Sequence, residues 1–368
     1  MSTILIATVS ALLASTQVVW AGSLVVPNPP DHLRPYVLPY LEGTVSANGD
    51  LAYRFPVTNL SSGGAMTLLT TNTIGSNGLS VFPHQHRSRY ENFFCVRGAA
   101  QLWLGNNETG SQDVRALSPG DFGASPPYTT HTFQTLQPDT EMVGAVFPGG
   151  LEDLFYATTL GNYTYSTGTT FNPQTVSLGG SGPSIDYYSL YKYDIYYQAD
   201  FKPRYDIVNG SAPANSGWHV KNNTLPENAT TPYYVANNFG NKYLNSETGY
   251  QIIEPLSTAK QSGGHNFTLS YITVSKVPNN ITMPNHQFGG YAAIRMLNGA
   301  LKLEVQGYDS VTLLTGDVAS LPGGTKYKYE AVAGYTKFLY AGAGTAGLDT
   351  ALLKKAEPWG WTSWPTHY

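Results

Sequence analysis

Between residues 50 and 148 short apolar, β-prone runs alternate with Gly, Pro and Asn breaks. The run "NFFCVRGAAQLWLG" reads as two strands around a turn at Gly98, and "VRALSPGDFGASPP" adds a strand and a Pro/Gly-rich loop. "HTFQTLQPDTEMVGAVFPGG" supplies two more strands. Several short strands at this spacing predict a sandwich or barrel. From 149 to 205 the pattern weakens into a Thr-, Tyr-, Gly- and Ser-rich stretch, expected as a long connection that packs on the surface through its tyrosines. From 206 strand-like runs resume, most clearly over 265–345.

The two strand-rich regions resemble one another. Setting Pro83 on Pro284 places Tyr90 on Tyr291, Gly98 on Gly299 and Leu102 on Leu303, an offset of 201. Further on, Gly120 meets Gly316, Asp121 meets Asp317 and Pro126 meets Pro322, an offset of 196. The second copy therefore lacks five residues between the blocks, and "GNNETGSQD" is the natural place for the difference. The pattern is an internal duplication of one β-domain. With 368 residues and roughly 100–200 residues per domain, two domains is also the expectation from length.

Composition fits an all-β chain. Charged residues are only 12%, and no long Ala/Glu/Lys/Leu stretch reads as a helix. A net charge of -4 without a basic patch gives no reason to expect nucleic acid as a partner. Residues 1–21 carry no charged side chain and end in small residues, which predicts a secretory signal peptide cut near Ala21. Polar Ser, Thr and Gln interrupt the run, making it marginal for a span of ~20 apolar residues. No membrane association is expected after cleavage. Asn59, Asn107, Asn162, Asn209, Asn222, Asn228, Asn266 and Asn280 each begin an N-x-Ser/Thr triplet, so a glycosylated, extracellular protein is expected. Oligomeric state is left open, a homodimer included. Cys95 is the one cysteine, which excludes an internal disulfide, and its apolar surroundings read as core.

One stretch breaks the apolar pattern. In "FPHQHRSRYENFF" His84 and His86 are two apart, so both point to one face of a strand. Strict alternation would put Glu91 on the opposite face, so "RSRY" must bend the chain. His131 follows "GDFGASPPYTT" on a strand expected alongside. Three imidazoles and a carboxylate converging inside a barrel make a first-row transition-metal site, with Cu(II), Mn(II), Fe(II), Ni(II) and Zn(II) all compatible. In the second copy the same alignment sets Asn285 opposite His84, Gln287 opposite His86, Ala292 opposite Glu91 and Tyr327 opposite His131. His286 falls out of register, on the other face. One metal per chain is expected.

These residues match the two cupin motifs. Gly78-x5-His84-x-His86-x4-Glu91-x6-Gly98 resembles the first at every fixed position, and Gly120-x5-Pro126-x4-His131 resembles the second. Tyr128 stands where that family usually has Gly, and Thr135 where it usually has Asn. The resemblance implies two jelly-roll-type cupin β-barrels: an N-terminal domain over 22–148 with the metal site, a linker over 149–205, and a metal-free domain over 206–368. A secreted bicupin of this length with one live site resembles the fungal quercetin 2,3-dioxygenase family, and the likeness covers nearly the whole mature chain. It implies one copper on His84, His86, Glu91 and His131, with Glu91 as the catalytic base. It also implies a substrate cavity at Tyr53, Phe93, Phe133 and Met142. The reaction implied is cleavage of a flavonol heterocycle with O2, releasing carbon monoxide and a depside. A manganese cupin of the oxalate oxidase or decarboxylase type is the enzymatic rival, with Arg87, Arg89 and Arg97 near the motif, and a non-catalytic bicupin is the rival from another class.

Overall fold

The computed structural model describes residues 22–48, 51–73, 75, 78–159, 161–163, 186–213, 218–277, 281–361 and 364–365. The expected leader and Asn280 lie outside them. Strands dominate, and among the described residues the strands that make up the four sheets pair antiparallel. Each half of the chain is built from two facing sheets. Among the described residues the N-terminal pair has eight and five strands, the C-terminal pair eight and four. Alternation within each strand points one set of side chains into a core between the sheets. In the N-terminal half that core holds Leu102, Phe93, Phe133 and Met142. In the C-terminal half it holds Ile294, Leu303, Phe338 and Tyr329.

The duplication is visible in the register. Ala100 pairs with Leu117, and Leu301 with Leu313. The five-residue difference therefore falls in the hairpin between those strands, as expected. Gly98 and Gly299 both adopt positive φ, 75° and 77°, at the equivalent turn. A Cβ at either would strike the backbone or side chain of the facing strand, at Thr140 or at Tyr335 and Thr336.

The halves are not joined end to end as the expected boundaries imply. Strand Tyr36–Leu38 leaves the N-terminal segment and pairs with Val318–Leu321 of the C-terminal sheet. Strand Tyr233–Val235 makes the reverse crossing onto Phe122–Ser125. A shared core forms where they meet, with Phe147 stacked on Phe267 at 4.1 Å and 5°. The contact also buries an ion pair, Arg295 to Glu141 at 2.5 Å, with Tyr40 donating to the other carboxylate oxygen at 2.8 Å. Removing one partner of such a pair costs about 3–5 kcal/mol, because the other charge is stranded.

The described parts of the 149–205 segment, 149–159, 161–163 and 186–205, also depart from expectation. They join the N-terminal half rather than forming a surface connection. Strand Gly161–Tyr163 extends the larger sheet by pairing with Val45–Asn48. Strand Tyr196–Tyr197 pairs with His84–Gln85. Leu190 and Ile195 are buried in the N-terminal core. The tyrosines do pack, Tyr187 on Tyr197 at 4.0 Å. Helix Glu152–Thr158 turns its buried Glu152 carboxylate to Thr67 and to the Asn59 amide. Composition gave no hint of these pairings because they are made by the backbone and by isolated apolar residues.

Candidate metal centre

His84 sits on a two-residue strand, His84–Gln85, held on one side by Thr130–Thr135 and on the other by Tyr196–Tyr197. Within that ladder His131 lies directly opposite His84, the predicted neighbour relation. The chain then bends through Arg87 and Ser88, as the alternation argument required. The bend is fastened by Asp194, whose carboxylate accepts from the Arg87 amide at 3.0 Å, the Ser88 amide at 3.0 Å and the Ser88 hydroxyl at 2.8 Å. After it the strand Tyr90–Arg97 begins, and Glu91 faces the histidines.

The four side chains are buried and their ligand atoms lie within 4.8 Å of one another. Each imidazole is oriented from behind by a backbone carbonyl that can only accept. His84 Nδ1 donates to Phe82 at 2.9 Å, His86 Nδ1 to Asp194 at 2.9 Å, and His131 Nδ1 to Thr129 at 3.1 Å. Ser125 Oγ also lies 3.0 Å from His131 Nδ1. Protonation at Nδ1 leaves the Nε2 lone pairs for the centre, the arrangement that metal-ligating histidines adopt. His86 Nε2 and His131 Nε2 approach Glu91 Oε2 to 3.0 and 2.9 Å. The second contact lacks hydrogen-bond geometry, so His131 Nε2 is a buried nitrogen with no hydrogen-bond partner among the described residues. A nitrogen that costs free energy when left unpaired is well used as a ligand. The donor set, three imidazoles and a carboxylate, fits a divalent transition metal.

The electrostatics follow from this packing. Burial and the neighbouring imidazoles of His131 and His86 lower the His84 pKa well below the usual histidine value, which keeps it neutral and able to ligate. For Glu91 burial raises the pKa, but the close imidazoles of His131 and His86 overrule it, and the carboxyl is held below its usual range. The groups nearest the carboxylate are imidazoles, not hydrocarbon.

Tyr53, Phe93, Phe133 and Met142 are all buried in one cluster beside the centre. Phe93 is two residues from Glu91 and Phe133 two from His131, so pleating puts each on its ligand's face. Phe93 lies 5.6 Å from the His131 ring and 6.3 Å from Phe133. Burial and, secondarily, the Glu91 charge push the Tyr53 hydroxyl pKa up. Its ring packs on Phe155 at 4.1 Å. Asp194 and Phe155 come from the 149–205 segment, and the sequence reading missed both. Asp194 reaches His86 across 108 residues with no motif to announce it.

The second barrel corrects the alignment. There the residue opposite Tyr327 is His286, as His84 is opposite His131. The carbonyl of Phe288 accepts from the Gly324 amide at 2.8 Å, as that of His86 does from Tyr128 at 2.6 Å. Ala292 pairs with Leu321 as Glu91 pairs with Ser125. The bend is thus one residue shorter in the second copy. His286 takes the place of His84 and Phe288 that of His86, while Asn285 and Gln287 are exposed. One ligand of four survives, packed against Phe288, Tyr327 and Tyr329 at 6.2, 5.6 and 5.3 Å. Burial lowers the His286 pKa.

No family model matches the chain. Among solved structures it is similar to a tryptophan-to-phenylalanine variant of oxalate decarboxylase from Bacillus subtilis, with a TM-score of 0.50 and 15% identity over 82% of this chain and 75% of that one. That likeness speaks to the fold: two cupin barrels in one chain. Among characterised proteins it is 44% identical to quercetin 2,3-dioxygenase of Aspergillus japonicus over 354 residues, 94% of this chain and 99% of the relative. It is 32% identical to quercetin 2,3-dioxygenase of Bacillus subtilis (strain 168) over 126 residues, 34% and 35% of the two chains. A bicupin with one intact His/Glu centre is the class that fold and site define. Within it, the chain belongs to the quercetin 2,3-dioxygenase family of dioxygenases.

Proposed function

We propose that this chain is a secreted, copper-dependent dioxygenase that opens the heterocyclic ring of a flavonol such as quercetin with O2 and releases carbon monoxide and a depside. The observation that carries the reading is the set of three carbonyl-oriented imidazoles converging with Glu91 beside an aromatic wall. His84, His86, His131 and Glu91 hold the metal. Copper is favoured because Cu(II) heads the affinity series for such nitrogen-rich sites. When bound, it supplies a Lewis acid for the deprotonated 3-hydroxyl oxygen and a path for electron density from the substrate. The substrate is itself the reductant, so no further redox cofactor is needed.

Glu91, anionic in the resting site, takes the proton of the flavonol 3-hydroxyl at a carboxylate oxygen. Phe93 and Phe133 stack against the flat rings and exclude water, and Tyr53 and Met142 close the wall. The rival dicarboxylate reading needs a cation at the centre. Arg87 instead stacks on Tyr196 at 3.8 Å, Arg89 is held by the Tyr193 carbonyl at 2.7 Å, and Arg97 pairs with Asp139 at 2.8 Å. The test is headspace carbon monoxide from the purified, copper-loaded protein given quercetin in air. Release in step with quercetin loss is expected. Intact quercetin and no gas, with the metal confirmed bound, would reject the flavonol reading.

Secretion rests on the leader and the sequons. The sequons are not equivalent once folded. Asn107, Asn209, Asn222, Asn228 and Asn266 are all exposed. Asn107 spends its side-chain amide on Gln85 Oε1 at 2.6 Å and on the Tyr128 carbonyl, beside the His84 strand. Glycopeptide mapping of the secreted protein is expected to find Asn107 the least occupied of these five. Full occupancy there would show that the Gln85 contact does not form.

A further inference from the structure

The three imidazoles of the centre are not held alike. His84 and His131 lie opposite one another in the ladder, and each Nδ1 donates to the carbonyl two residues before it, Phe82 or Thr129. Their orientation is local. His86 lies just past the strand His84–Gln85, and its Nδ1 donates to the carbonyl of Asp194, 108 residues away. Asp194 closes the short helix Tyr187–Tyr193 in the left-handed region, at φ 66°, a backbone that Asp tolerates better than most residues. Residues 186–198 grip the ligand segment along its length. The Gln198 amide donates to the Pro83 carbonyl at 2.9 Å, Tyr196–Tyr197 pairs with His84–Gln85, the Asp194 carboxylate takes the Arg87 and Ser88 amides, and Arg89 donates to the Tyr193 carbonyl at 2.7 Å. The second barrel gives the contrast. Among the described residues its strand His286–Gln287 is an edge, paired only with Lys326–Ala331, and Phe288 stands in the place of His86.

We propose that Asp194 is a positioning residue that makes His86 the conditional ligand of the centre, joining His84, His131 and Glu91 only while 186–198 is clamped on the bend. The inference rests on these four residues holding a metal, and not on the flavonol chemistry. Arg87 and Ser88 are exposed, so amides released by Asp194 turn to water and the barrel keeps its fold. What is lost is the fixed orientation of one imidazole. Loss of a group that orients a ligand from behind weakens metal affinity by about 10–100-fold.

The test uses the full-length protein loaded with Cu(II) alone. Three imidazole nitrogens are expected in the hyperfine pattern of the native protein, and two in Asp194→Ala, as in His86→Ala. Copper release to a chelator is expected to quicken by about 10–100-fold in Asp194→Ala and less in Asp194→Asn, which keeps one acceptor oxygen. In a His86→Ala background Asp194→Ala is expected to add less than about twofold, because it acts through His86. Circular dichroism checks the fold, and if Asp194→Ala does not fold, Asp194→Asn and Ser88→Ala carry the same comparison. Three nitrogens and native release in the Asp194 variants would overturn the inference. So would effects that add in full in the double variant, the mark of general loosening. A native protein that takes up no copper would overturn the metal centre itself, and this inference with it.

Discussion

Glu91→Gln is expected to lower quercetin turnover by about 10²–10⁴-fold while the three histidines keep the metal. The amide matches the carboxylate in size, and His84, His86 and His131 are oriented by Phe82, Asp194 and Thr129 rather than by Glu91. What the amide lacks is a site for the substrate proton. The pH dependence separates this role from simple damage. If Glu91 removes the 3-hydroxyl proton, the deficit of the variant shrinks as pH rises, because solvent increasingly supplies the flavonol already ionised. A purely structural lesion gives a deficit that is flat with pH. Metal content by elemental analysis and the nitrogen hyperfine pattern of a Cu(II) spectrum would be recorded on the same samples. Turnover at the native level with full metal would sink the base role, and loss of metal would reassign Glu91 to metal retention.

Much of this centre was legible in the sequence because its geometry is local. His84, His86 and Glu91 lie within eight residues, and period-2 alternation alone shows that a bend must bring the glutamate round. His131 could be placed because its spacing from Gly120 and Pro126 matches the second cupin motif. What fastens the bend was not legible. Asp194 makes its bonds through a carbonyl and a carboxylate that any Asp carries, and only the pairing of Tyr196–Tyr197 with His84–Gln85 delivers it. The exchange of Tyr36–Leu38 and Tyr233–Val235 between halves was hidden for the same reason, since an edge strand reads alike whichever sheet it joins. The metal-free state of the second barrel was readable from its residue types. Its register was not, because Pro83 and Pro284 invite a gapless match through a bend where the second copy is one residue shorter.

That register gives a second large effect. Phe288→His, Ala292→Glu and Tyr327→His, combined with the native His286, are expected to raise metal content from one to two per chain. The alignment without a gap would instead choose Asn285→His, Gln287→His, Ala292→Glu and Tyr327→His and would treat His286 as irrelevant, so these four substitutions made in a His286→Ala background are expected to leave content at one. Metal–imidazole bonds of about 2.0–2.1 Å tolerate no side chain on the wrong face. Asn285 and Gln287 are exposed, while His286 packs among Phe288, Tyr327 and Tyr329. The hydroxyl of Tyr327 is buried with no hydrogen-bond partner among the described residues, so its replacement forfeits no bond. Metal-to-protein ratio by elemental analysis, with circular dichroism to confirm the fold, decides the matter. Two metals in the four-substitution set and one in the three-substitution set would overturn the equivalence of His286 with His84. Two in the three-substitution set alone would mean that the second barrel differs from the first by side chains at three positions, its backbone already shaped for the ion.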